Sequence, residues 1–519
     1  MGIFNNSEKI KVLFVTTEEF PFAKVGGLGE VMFSLPRALS RAGCDARVFI
    51  PKYGSIKKEL LDKAKYVYEG LTVPTDPERA TKDLSCNILK TEASGDSHSP
   101  VTTYFLENQE YYELRSNVYG YKDDNLRFAL LSRGCLEFLN STDDWLPDII
   151  VTTDWMTGYL PNYLKTDYKD YVHLKNIATV FSIHNIFSQG PSRRHRFIPQ
   201  TELDDGHGSV PNLYSERMPH INAMRRGIMY SDLVNTVSPA YAKEIMTQEF
   251  GEGLDALLTE KRDKFVGILN GMDYETMNPE KDTNLAKNYN WNSVEKRSGN
   301  KLALQKHFGL PENENVFVVG MVSRLDRQKG LTLLEPIMGD FLKATDSQMI
   351  IVGTGDSQIM DFLHGAQNKY PDNMRAHLLY DPLLPHLIYG GADVVLIPSR
   401  FEPCGLTQME AMRYGSVPIA RKTGGLADTI EDFNPTNETG TGFLFNEFDS
   451  MQLLISLIRA FVNWKHKKSW AELQKRAMSV DFSWDHSAGE YIKLFERALK
   501  MKKSEDIQGD KLPTPTLPS

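Results

Sequence analysis

Short apolar runs rich in β-branched residues recur along the chain, with helical stretches between them. In the first half they fall at Val12 to Val15, Ala46 to Ile50, Asp148 to Val151, Thr179 to Ile183 and Leu233 to Val237. The second half repeats the rhythm at Val316 to Val322, Gln348 to Val352, Ala376 to Leu379, Asp393 to Ile397 and Val417 to Ala420. Such runs read as strands buried on both faces, and their alternation with helices predicts βαβ units and parallel sheets. Each half is expected to be a doubly wound α/β domain.

A chain of 519 residues exceeds what one hydrophobic core supports, so two domains are expected. Between the halves, Phe265 to Asp273 carries an Asn-Gly turn at Asn270-Gly271, and a polar stretch from Asn278 to Gly299 follows. The hinge is expected at Leu269 to Met272, which sets an N-terminal domain over 1–269 and a C-terminal domain over 270–483. A last helix over 484–501 has apolar positions Ala488, Tyr491, Ile492, Phe495, Ala498 and Leu499, one face suited to packing. Residues 502–519 are polar with three prolines and are expected to be a disordered tail.

Charge narrows the partners. A formal net charge of -9 argues against broad binding to nucleic acid or anionic membranes, which demand an excess of Lys and Arg. An anionic ligand then requires a locally concentrated basic site. Cys44, Cys86, Cys135 and Cys404 are scattered with no CxxC pair, which removes zinc-ribbon and dithiol readings and leaves free thiols in a reducing compartment. Met1 to Ser7 hold no apolar signal region, and no apolar run reaches transmembrane length. A cytoplasmic location is expected.

In doubly wound sheets, ligands sit at the carboxyl ends of strands, where loops meet helix N-termini. Three segments occupy such positions. After the strand near Val15 comes Lys24-Val25-Gly26-Gly27-Leu28-Gly29-Glu30, whose glycines allow close backbone approach and free N–H groups, and whose Lys24 adds a point charge. This pattern is neither a Rossmann fingerprint nor a Walker loop, and a merely structural turn is its competing reading. After the strand ending at Val322 come Arg324 and Lys329, positioned to converge on one polyanion; taken singly, a basic loop is more often solvated. After the strand ending at Ile397, Ser399-Arg400-Phe401-Glu402-Pro403-Cys404-Gly405-Leu406-Thr407-Gln408-Met409-Glu410 puts two carboxylates, a glycine turn and a hydroxyl at a helix start. A capping carboxylate is the competing reading of Glu402.

Lys24-Val25-Gly26-Gly27-Leu28, Thr153-Asp154-Trp155, His184-Asn185, Ser238-Pro239, Leu269 to Asp273, Ser323-Arg324 with Lys329-Gly330, Gly353 to Asp356, Ser399 to Gln408 and Thr423 to Asp428 stand in the order found in glycogen and starch synthases. The chain resembles that family from about Lys11 to Lys500. The string Ser399 to Gln408 carries most of the specificity, whereas the Asp-Trp and Gly-Asp fragments carry little alone. The resemblance implies a GT-B glycosyltransferase fold, two Rossmann-like domains facing across a cleft. It places the acceptor glucan on the N-terminal domain, the sugar nucleotide mostly on the C-terminal one, and the final helix back on the first domain.

The resemblance also implies roles. Arg324 and Lys329 match the pair that neutralises the donor diphosphate. Gly405, Leu406 and Thr407 match the turn that holds a phosphate, with Cys404 in the same motif, and Gly26 and Gly27 match the loop closing over it. Glu402 resembles the carboxylate near the transferred hexose, and His184 the histidine facing the reacting carbon and the sugar 6-hydroxyl. Asp154 and Asn270 resemble sugar- or acceptor-contacting residues, Tyr380 the aromatic that stacks on adenine, and Glu410 a second glutamate that contacts ribose. Glu30 stands where the family often has Asp, which keeps the charge and lengthens the arm. Cys404 has no His near it in sequence, and the family motif carries it without a covalent role. Arg193-Arg194-His195-Arg196 matches nothing in the family and reads as a solvated loop.

The expected activity is transfer of glucose from ADP-glucose to the non-reducing 4-hydroxyl of an α-1,4-glucan, with retention. No Asp-x-Asp metal triad lies near the expected phosphates, so the cations are expected to act without a metal or other cofactor. Expected partners are the nucleotide sugar and the glucan, with no nucleic acid and no membrane; the oligomeric state is left open. UDP-glucose as donor, a non-catalytic glucan-binding protein and another hexosyltransferase or epimerase on the same fold are the alternatives. Intact Lys24, His184, Arg324, Lys329 and Glu402 weigh against the second, and the Phe401 to Gln408 string with the Thr423 to Asp428 loop against the third.

Overall fold

The computed structural model describes residues 9–76, 83–93, 100–191, 204–379 and 381–509. Tyr380 and Arg193 to Arg196 lie outside them. The chain divides into two compact units: Met1–Val237 with Ala242–Gly271 and Trp484–Ser519, and Ser238–Tyr241 with Met272–Ser483.

Among the described residues, the first unit holds strands β1 (Lys11–Val15), β2 (Asp45–Pro51), β3 (Lys65–Val73), β4 (Leu84–Ala93), β5 (Val101–Glu107), β6 (Ile149–Thr153), β7 (Ala178–Ile183), β8 (Leu233–Thr236) and β9 (Phe265–Gly267). They form one sheet in the order β3-β4-β5-β2-β1-β6-β7-β8-β9. β6 and β7 are buried along their whole length, as expected where helices cover both faces of a parallel sheet. β1 pairs in parallel with β2 on one side and β6 on the other. The loop after β1 therefore stands at a topological switch point, where adjacent connections diverge and leave a crevice.

The second unit holds β10 (Val318–Val322), β11 (Gln348–Val352), β12 (Met374–His377), β13 (Val394–Ile397), β14 (Val417–Arg421) and β15 (Phe443–Phe445). The order is β12-β11-β10-β13-β14-β15, parallel throughout. Here β10 lies between β11 and β13, which makes the ends of β10 and β13 the switch point. Its core runs from Phe317, Val319 and Met321 through Met349, Ile351 and Leu396 to Trp464 and Trp470.

Three expectations are corrected. The first sheet is not purely parallel, because β4 pairs antiparallel with both β3 and β5. β3 is largely exposed and its register is interrupted twice, so it shows neither a continuous apolar run nor clean alternation. The division between units falls after Gly271, inside the expected hinge of Leu269 to Met272 but past the expected domain bound at 269. Gly271 lies against the backbone of Trp484 too closely for a side chain, and the Ser487 hydroxyl donates to the Leu269 carbonyl at 2.7 Å. The last helix runs over Trp484–Gly509, beyond the expected end at 501 and into the stretch expected to be disordered. No proline occurs there before Pro513, so nothing in the backbone stops the helix near Lys500.

This C-terminal helix packs against the helix Gly27–Arg41 in the first unit. Ala488, Tyr491, Phe495 and Ala498 are buried as expected, together with Leu494, while Ile492 and Leu499 flank the face half-buried. The Asn235 side-chain amide donates to the Tyr491 hydroxyl at 3.2 Å, and Arg41 pairs with Asp485 at 2.8 Å.

Candidate active site

In the second unit, the loops after β10 and β13 are joined backbone to backbone. The Arg400 N–H donates to the Gln328 carbonyl at 2.7 Å. Gly330, with φ of 73°, lies against the Pro398 carbonyl where any side chain would overlap it. Only glycine meets both demands without strain. The preceding turn, Arg327–Lys329, is capped by the Asp326 carboxylate, which accepts from the Lys329 N–H at 3.1 Å.

That closure brings Lys329 to Glu402. The Lys329 ammonium pairs with Glu402 Oε2 at 2.7 Å, and the Ser399 hydroxyl donates to the same oxygen at 2.9 Å. Glu402 is buried, and burying a charge requires such partners. Lys329, Ser399, Glu402, Gly405, Leu406 and Thr407 line one cavity of about 60 Å³, with Ser323 on its β10 side. Thr407 begins the helix Thr407–Arg413. Buried Gln408 shapes the turn by donating to the Cys404 and Gly405 carbonyls at 3.0 and 2.8 Å.

The neighbouring Gly424 has φ of 45° and sits where a methyl would overlap the Glu402 carbonyl oxygen. The Gly425 N–H donates to that same oxygen at 3.0 Å. The Thr423 to Asp428 loop thus fixes the main chain that carries Glu402.

Arg324 is not drawn in with Lys329. Its side chain is 71% exposed and pairs with Asp326 at 3.3 Å. Cys404 is buried within the motif. Glu410 is half-buried on the helix; the hydrogen bond to Asp282 raises the His386 pKa and burial that of Tyr414, and the Glu410 charge adds the smallest share to each.

In the first unit, Lys24 pairs with Glu30 on the surface. Gly26 and Gly27 are exposed, and a methyl on either would meet open space. The free amides expected in this loop are partly taken: Glu18 Oε2 accepts from the Val25 and Gly26 N–H groups at 2.6 and 2.9 Å. Glu18 Oε1 accepts from the Tyr119 hydroxyl at 2.7 Å. Buried Glu18 and its Tyr119 partner escaped the sequence reading. The available signal was an acidic residue just past a strand end, facing a glycine loop rich in N–H donors.

Asp154 opens the turn after β6 with φ of 50°, a left-handed conformation that strains a residue bearing a side chain. Its Oδ1 accepts from the His184 and Asn185 N–H groups at 2.8 and 3.1 Å. Asp154 therefore holds the loop that presents His184, a function that its sequence position did not reveal. Burial pushes its carboxyl pKa up to about 7 despite those two donors, with the Glu18 charge adding to the rise. Asn270 is buried, and its Oδ1 has no hydrogen-bond partner among the described residues.

Burial pushes the His184 imidazole pKa down to about 4. The ring is neutral at pH 7, and Nε2 lies 3.2 Å from the Ser182 hydroxyl. As pH falls from the ordinary histidine value of about 6.5 to about 4, the unfolded chain takes up a proton that the native ring refuses, so His184 withdraws stability over that window. The His184 ring resonance is expected to titrate by NMR with a midpoint near pH 4. A midpoint at the ordinary histidine value would contradict the buried setting.

Residues 11–260 match the family described as starch synthase catalytic domain, and residues 304–477 that of glycosyl transferases group 1. The chain is 41% identical over 490 residues to a glycogen synthase of Anoxybacillus flavithermus, covering 94% of this chain and 98% of that one. It is 39% identical over 497 residues to a glycogen synthase of Thermotoga maritima, covering 94% and 99%. The catalytic domain of starch synthase IV from Arabidopsis thaliana, solved bound to ADP and acarbose, superposes with a TM-score of 0.81 at 32% identity, covering 95% of this chain and 100% of that one.

Proposed function

The chain belongs to the glycogen and starch synthase family of GT-B glycosyltransferases, and from that premise we propose that it transfers glucose from ADP-glucose to the non-reducing 4-hydroxyl of an α-1,4-glucan, with retention at the anomeric carbon. The observation that carries this is the Lys329–Glu402 pair beside Ser399, in one cavity with Gly405, Leu406 and Thr407. A cation and a carboxylate at the ends of β10 and β13 suit a ligand that is anionic at one end and rich in hydroxyls at the other.

Lys329 neutralises the donor diphosphate through charge-assisted hydrogen bonds of about 1.5–3 kcal/mol each. These bonds strengthen as the leaving phosphate gathers charge, so they lower the barrier as well as bind. Glu402 orients hexose hydroxyls and offsets positive charge on the anomeric carbon. Arg324, Lys24, Gly26 and Gly27 are assigned to the diphosphate by family resemblance, as are Tyr380 to adenine and Glu410 to ribose. A sugar hydroxyl donating to Asn270 Oδ1 would satisfy a buried acceptor that otherwise costs about 1–3 kcal/mol.

Retention through a covalent intermediate requires a carboxylate on the face opposite the leaving group. The family assignment gives that face to the His184 carbonyl, so the acceptor attacks from the side of the departing phosphate, which takes its proton. Lys24, Arg324 and Lys329 balance the charge in place of a metal ion. Metal independence and a cytoplasmic location are part of the proposal. The Arabidopsis relative binds ADP, which supports an adenine nucleotide as donor.

Transfer of radiolabel to glycogen from ADP-glucose and UDP-glucose, each with and without EDTA, tests this. Label is expected from ADP-glucose roughly tenfold faster or more, a difference of about 1.4 kcal/mol, and unchanged by EDTA. Equal rates would remove the donor preference, EDTA sensitivity would remove metal independence, and no label from either donor would favour a non-catalytic glucan-binding protein.

A further inference from the structure

The helix Ser450–Trp464 in the second unit carries apolar side chains on an exposed face as well as on its buried one. Leu453, Leu457, Ala460 and Trp464 are buried in the core. On another face stand Met451, Ile455, Ile458 and Val462, which are 58%, 56%, 37% and 48% exposed. Intervals of four, three and four residues keep these side chains in one stripe over about three turns. Single exposed apolar side chains are ordinary, whereas a contiguous stripe marks a surface that is covered by a partner. The only charged residue within the helix is Arg459, and Asp432 holds its guanidinium at 2.9 Å.

We propose that two copies of the chain pair through this stripe, helix against antiparallel helix about a two-fold axis. A stripe at these intervals is complementary to itself, since each side chain can seat between those of the facing copy. Charge selects the orientation. Glu447 and Asp449 lie exposed ahead of the helix, and Lys465 and Lys468 lie exposed beyond it. An antiparallel copy sets the acidic end of each helix against the basic end of the other, and two-fold symmetry makes that contact twice. A parallel copy would oppose like charges at both ends. So short a contact belongs with small interfaces, and a reversible dimer with Kd on the order of 1–100 μM is expected.

Sedimentation velocity of the full chain, up to a concentration on the order of 100 μM, reads this directly. The unaltered protein is expected to shift from monomer toward dimer as concentration rises. Ile455→Lys/Ile458→Lys is expected to remain monomeric, with glucosyl transfer per chain unchanged. Met451→Ser/Val462→Ser gives the same reading should the lysine variant fail to fold. Lys465→Glu is expected to weaken the dimer, and adding Glu447→Lys in the same chain to restore it. A protein that stays monomeric throughout, a dimer that survives the stripe substitutions, or a second charge change that weakens pairing further would overturn the proposal.

Discussion

Lys329→Ala is expected to lower turnover by roughly 10²–10³-fold, the usual effect of removing one charge-stabilising group from the reacting centre. Two losses combine. On the proposed function the diphosphate loses a half-buried cation, and Glu402 loses the ammonium at 2.7 Å that offsets its burial, keeping among the described residues the Ser399 hydroxyl. Removing one partner of a fully buried pair costs about 3–5 kcal/mol. The Lys329 side chain is 18% exposed, so a smaller loss of about 2–3 kcal/mol in stability is expected. Lys329→Arg keeps the charge, yet a planar fork replaces a compact ammonium in a cavity of about 60 Å³, so only partial recovery is expected. Steady-state kinetics with circular dichroism separates the effects. A folded alanine variant with unaltered turnover would remove Lys329 from the chemistry.

Gly424→Ala is expected to be among the most damaging single methyl additions near the site. Two penalties coincide there: a left-handed backbone, φ of 45°, and overlap with the Glu402 carbonyl oxygen. The strained backbone alone costs roughly 1–2 kcal/mol, and the overlap forces main chain to move. A total of about 3 kcal/mol or more is expected, which for a unit of this size lowers the unfolding midpoint by roughly 6–12 °C. Because the displaced chain carries Glu402, turnover should fall as well. Gly26→Ala is the contrast: its methyl meets open space and the backbone is extended, so the midpoint should hold. Calorimetry and kinetics on both variants decide, and an unshifted midpoint for Gly424→Ala would show that the loop yields freely.

Parallel strands were legible because burial on both faces leaves a continuous apolar run, as in residues 149–151 and 349–352. The string Ser399 to Gln408 was legible as a strand-end loop for the same reason, since it follows buried β13. The β3 and β4 ribbon was not, because its residues face solvent on one side and its register shifts. Pairing of Lys329 with Glu402 spans 73 positions and depends on Gly330 touching Pro398, a closure that no local pattern announces. The role of Asp154 in holding the His184 loop, and that of Glu18 in occupying the Val25 and Gly26 amides, likewise follow from how the loops fold back. The last helix was legible in its packing face but not in its end, since polar composition after Lys500 resembles a tail while its residues remain competent to form helix.

A crystal structure of the chain with ADP-glucose bears most directly on the site in the second unit. The donor diphosphate is expected within about 2.7–3.2 Å of the Lys329 ammonium and of the Gly405 to Thr407 amides, with the hexose hydroxyls beside Glu402. Diphosphate density elsewhere, with the Lys329 ammonium still held by Glu402 and not by phosphate, would contradict it.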